Sequence, residues 1–174
     1  MDPLLSRIQA LSFPKQVAFA AHCAERLRRE IDPLPEDGLP GESVIAEILD
    51  EAWDVATGEP VDTPRLLGLQ RRFLDAAEVR TDTGAQVALY GSAIEQLIEL
   101  ILGEAERAAL VQLISESMID LVGMIYVDAD TAEDQEEAWQ RRALDRLQHT
   151  PGRTVTRAFF QSLREYVRGR RYVS

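Results

Sequence analysis

Apolar residues recur through most of this chain at steps of three and four, the period of an α-helix, and no segment alternates apolar and polar residues as a strand would. The densest such stretch runs from Glu106 to Val127, where Leu110, Leu113, Ile114, Leu121 and Ile125 share a face that Val111, Met118, Val122 and Met124 widen almost to the whole circumference. Its polar positions Gln112, Glu116, Asp120 and Gly123 fall on one narrow stripe. A helix of that kind needs neighbours on most sides, so the pattern predicts a central rod wrapped by the remaining helices.

Those helices can be placed from the same period and from capping residues. A short one covers Pro3 to Leu11. A second starts at Pro14 behind Ser12 and runs to about Ile31, with Val17, Ala20, Ala21, Ala24, Leu27 and Ile31 inward and His22, Glu25, Arg26 and Arg29 on the polar side. Asp32 to Gly41 holds three prolines and two glycines and reads as a loop. The third helix spans Glu42 to Gly58, which supplies a left-handed cap, with Ile48, Leu49 and Trp53 inward. Thr63 and Pro64 open a fourth helix to about Val79, and Arg80 to Gly84 is a turn. The fifth helix is Ala85 to Leu102. Thr131 with Asp134 resembles a capping box for a helix reaching about Gln148, and a last helix follows His149 to Gly152. The expected fold is an all-α, single-domain bundle of seven or eight helices around residues 106–127.

Composition fits that picture. With 174 residues, 45% of them hydrophobic, the chain can bury a core without staples. Its one cysteine, Cys23, forms no internal disulfide, and the N-terminus lacks a leader pattern, so a reducing cytoplasm is expected. The central stretch is long enough to raise a membrane span, but Glu116 and Asp120 would each cost about 2.5–3.5 kcal/mol near a bilayer centre; no membrane partner is expected.

Charge changes the picture more. The net charge of −11 disfavours nucleic acid and anionic membranes as partners. It is unevenly spread: residues 151–174 carry six arginines against Glu165, a balance of +5, which leaves −16 on the first 150 residues. Arg157, Arg164, Arg168 and Arg171, at offsets of seven, eleven and fourteen, share one helical face suited to gripping carboxylates or phosphates. That face suits an anion or a nucleic acid, or else pairing with the acidic stretch Asp128 to Glu137 of the same chain or with a second subunit or partner protein. The acidic surface, in turn, suits a basic protein.

Signs of chemistry are weak. Glu116 and Asp120 could work as an acid pair but are equally the solvated stripe of a buried helix. A helical di-iron site needs an acid three residues before a histidine, and Phe19 and Arg146 stand three before His22 and His149. His22 and Cys23 diverge by about 100° on a helix, too far for a nucleophile and its base, and read as a surface histidine and a packed cysteine. Zinc spacings, phosphate-cradling loops and nucleophile elbows are missing from the sequence. No catalytic residue, metal or cofactor is expected.

The run Gln16-Val17-Ala18-Phe19 through Glu25-Arg26-Leu27, then Ile48-Leu49-Asp50 with Trp53, then Leu89-Tyr90-Gly91 ahead of Ala93-Ile94, resembles the bacterial YjaG-like family. The resemblance implies an all-α cytoplasmic protein and supplies no reaction. It singles out Glu25, Arg26, Asp50 and Trp53, which would form either a polar pocket or an Arg26–Asp50 lock between the second and third helices. Two functions follow as expectations: a non-catalytic helical interaction module, self-associating as a homodimer or neutralising a basic protein in the manner of immunity proteins and antitoxins, or a small-ligand binder or enzyme using that cluster.

Overall fold

A computed structural model describes residues 3–31, 41–78, 85–103, 106–126 and 128–168. Among them the chain forms eight helices and no strand: α1 Pro3–Gln9, α2 Phe13–Ile31, α3 Glu42–Thr57, α4 Thr63–Glu78, α5 Ala85–Leu102, α6 Arg107–Ile125, α7 Ala129–His149 and α8 Arg157–Arg168. The expected all-α bundle is what the chain adopts. The loop from Asp32 and the turn from Arg80 lie outside the described residues, Gly41 excepted.

Helix ends follow backbone needs. Gly58 takes the left-handed conformation (φ 103°) and closes α3, its N–H donating to the Val55 carbonyl while that of Glu59 donates to Asp54. Two expected caps move by one or more residues towards an acid. Asp62, and not Thr63, accepts the N–H of Arg65 at the start of α4, at 3.0 Å. Asp128, and not Thr131, caps α7 by accepting the Thr131 N–H at 3.4 Å. A carboxylate at an N-terminus answers both the unpaired N–H groups and the helix dipole, so it displaces a neighbouring threonine.

The core is one cluster fed by all eight helices, from Ile8 in α1 to Leu163 in α8. α6 is central as expected, packing on α1, α2, α5 and α7. It shares that place with α2, which packs on α3, α5, α6, α7 and α8 and is buried without a break from Lys15 to Ala24. α5 and α6 are both long and apolar enough to cross a membrane by length and composition, and in this bundle both lie against α2. α6 also leaves more surface open than its composition suggests: Leu113 and Met124, expected inside, are 45% and 54% exposed. A Cβ at Gly123 would meet the carboxylate end of Glu133, a flexible side chain of α7 that lies over this position.

α8 crosses the face between α3 and α7. Phe160 stacks on Trp53 with ring centroids 4.1 Å apart, Arg146 lies over Phe159 at 5.1 Å, and Arg146 also donates to the Ser162 hydroxyl at 2.7 Å. The connection into α8 is tied down where the Val155 N–H donates to the Ala56 carbonyl.

Candidate functional site

The residues singled out on α2 and α3 part company. Arg26, expected on a polar face, is 4% exposed and turns into the bundle, where its Nη2 meets the Glu136 carboxylate of α7 at 2.5 Å and its Nε the same oxygen at 3.1 Å. The Trp139 ring underlies the guanidinium at 4.3 Å. The lock that holds Arg26 therefore runs from α2 to α7. Asp50 is exposed, Glu25 is half-buried, and Trp53 is buried under Phe160.

Glu136 extends the lock into a network. Its second oxygen accepts from Gln140 Nε2 at 3.0 Å, the same amide donates to the Ser115 carbonyl at 3.0 Å, and the Ser115 hydroxyl donates back to Gln140 Oε1. A fully buried carboxylate thus has a guanidinium on one oxygen and an amide on the other, and the chain of contacts joins α2, α7 and α6. Such a group is costly to desolvate and persists only where every lone pair is answered. Pattern reading could not find this site, because Arg26 and Glu136 stand 110 residues apart.

His22 is the second correction. It is 1% exposed, and neither ring nitrogen has a hydrogen-bond partner among the described residues. Burial first, then the positive charges of Arg26 and Arg146, push its pKa down to about 3, so it is a neutral imidazole. Lys15 and Arg26 lie within about 40° of it on the helical wheel. Both reach towards α7, Lys15 donating to the Thr150 carbonyl at 2.6 Å. Cys23 is buried as expected, and burial, with Glu136 nearby, raises its thiol far above the ordinary range, which suits packing and not nucleophilic work.

The outer surface carries the remaining candidates. Glu116 and Asp120 are exposed on the α6 stripe, Glu116 accepting from Gln112 at 2.8 Å. Beside them a groove of about 360 Å³ runs between α1, α6 and α7, with Leu4 and Ile119 among its lining and its bordering cations paired, Arg7 to Asp145 at 2.5 Å and Arg141 to Glu137 at 2.5 Å. A second hollow of about 440 Å³ lies at the α1–α2 turn between Leu11, Lys15 and Gln148. Neither contains Glu25, Arg26, Asp50 or Trp53. On α8, Arg157 is exposed; Arg164 and Arg168 share its helix, and Arg171 lies outside the described residues. Among the described residues no group of histidine, cysteine and carboxylate side chains is placed to hold a metal. Neither family models, curated proteins nor solved structures yield a match to the chain.

Proposed function

We propose that this chain is a non-catalytic helical interaction module that recognises another protein through its acidic outer face, in its most specific form as the neutralising partner of a basic protein. The observation that carries this reading is the division of labour among its charges. Arg26 and Glu136 are consumed inside the bundle, whereas Glu116 and Asp120 stand outside, on the same helix as two large exposed apolar side chains. Exposed apolar residues rimmed by like charges are the composition of a recognition surface. The pocket reading draws little from the geometry, since Arg26 is closed on Glu136 and Trp53 on Phe160.

Membership of the YjaG-like family stays part of the proposal. Phe19, Arg26, Leu27, Ile48, Leu49, Trp53 and Tyr90, which carry the resemblance, are buried. They support a shared core more than a shared surface. A cytoplasmic setting, proposed on the same footing, agrees with the buried free thiol of Cys23.

The test compares the immobilised chain with a Glu116→Lys/Asp120→Lys variant in native lysate. A basic protein retained by the first and lost from the second is the expected result. Retention of a metabolite or metal by both, with no protein, would overturn it in favour of a ligand-binding role.

A further inference from the structure

The outer face of α6 and the arginine stripe of α8 match each other in register. Leu113, Asp120 and Met124 stand at offsets of zero, seven and eleven, and so do Arg157, Arg164 and Arg168. Steps of seven and eleven return to nearly the same angle on a helix, so each set runs straight along its axis for about 16 Å. The α6 stripe offers apolar surface at both ends, with Leu113 45% and Met124 54% exposed, and the exposed acids Glu116 and Asp120 between them. The one cation of α6, Arg107, is at the other side of the helix with its guanidinium over Phe13 at 4.1 Å. Arginine answers both parts of such a stripe: its stem covers apolar surface and its fork grips a carboxylate.

We infer that a second copy of this chain docks its C-terminal arginine segment on the outer face of α6. Within one copy α8 packs on α2, with Phe160 on Trp53 of α3 and Phe159 on Arg146 of α7, whereas the helices packed on α6 are α1, α2, α5 and α7. The charge division, +5 on the last 24 residues against −16 on the rest, steers two copies together in this orientation and repels acidic face from acidic face. Made reciprocally about a twofold axis, the contact closes as a dimer. This inference rests on the reading of the acidic face as a recognition surface and names one occupant for it.

Sedimentation velocity of the full chain, across micromolar to sub-millimolar concentrations at low and high salt, tests it. The wild type should dimerise at low salt and dissociate at high salt. Glu116→Arg/Asp120→Arg and Arg157→Glu/Arg164→Glu should each weaken the dimer roughly tenfold or more, as exposed pairs turned repulsive do. Mixing the two variants restores complementary charge at both contacts, so a mixed dimer should form. A monomeric wild type, variants that dimerise like the wild type, or helical variants whose mixture stays monomeric would each overturn the inference. A monomeric wild type that still captures a basic protein would overturn it while leaving the proposed function standing.

Discussion

α2 and α6 are the two central helices, and hydropathy ranks them the wrong way round. α6 is the more apolar, yet it keeps Leu113, Glu116, Asp120 and Met124 in solvent. α2 carries Lys15, Gln16, His22 and Arg26 and hides all four. Neighbours explain the reversal: α2 is enclosed by α3, α5, α6, α7 and α8, whereas α1, α2, α5 and α7 leave one side of α6 open. Long polar side chains make the enclosure of α2 tolerable. Gln16 donates to the Ile8 and Leu11 carbonyls at 3.1 and 3.3 Å, Lys15 to Thr150, and Arg26 reaches Glu136. A helix's mean hydropathy therefore says little about how much of it is covered; the reach of its polar groups and the count of its neighbours say more.

The sharpest way to break this contrast is to remove one partner of the buried pair. Glu136→Ala leaves Arg26 charged and desolvated and should cost about 3–5 kcal/mol in urea unfolding, whereas Arg26→Met with Glu136→Leu should come out near neutral. A double variant as unstable as the single one would show that the charge pair itself, and not its unpaired remainder, holds α2 to α7.

Acidification should expose the next largest effect. The His22 pKa is about 3 in the folded chain against 6.5 as its ordinary value. Above the ordinary value both states are neutral and the group adds no pH dependence. As pH falls below it, the unfolded chain takes up a proton that the folded chain refuses, so stability should drop by about 1.4 kcal/mol per pH unit towards the folded pKa. His22→Leu should flatten this slope between pH 6.5 and about pH 3. An unchanged slope would mean that His22 is hydrated in solution.

The smallest effect sharpens the contrast within α6 itself. Ile114→Ala, at a fully buried position, should cost about 2–5 kcal/mol. Its neighbour Leu113→Ala should stay within about 0.5 kcal/mol while weakening any contact made by the outer face. Equal costs at the two positions would put Leu113 inside.

Much of the fold was legible because helical period and turn residues are local. The α5 limits, the Gly58 cap and the solvated stripe of Glu116 and Asp120 all followed from residues within a few positions of one another. What could not be read depends on distant partners. Arg26 looked like a surface residue because Glu136 lies in another helix, and His22 looked exposed because α2 gains neighbours on that side only once α7 and α8 are in place. Leu113 and Met124 looked buried because they border the polar stripe, and period alone cannot say where an apolar face ends. The acidic caps Asp62 and Asp128 were missed for a simpler reason: a threonine follows each closely and is also a capping residue. The candidate cluster of Glu25, Arg26, Asp50 and Trp53 was gathered by resemblance, and of its members Arg26 pairs with Glu136 of α7 while Trp53 stacks on Phe160 of α8.

Side-chain reactivity of the unmodified chain tests the central contrast most directly. Mild peroxide and a thiol alkylator, applied to the folded protein at high salt and followed by peptide mapping, should oxidise Met124 quickly, leave Met118 on the same helix intact, and leave Cys23 of α2 unalkylated until the protein unfolds. Met118 reacting as fast as Met124, or Cys23 reacting at the rate of a free thiol, would contradict an α2 closed from Lys15 to Ala24 and an α6 open on one side.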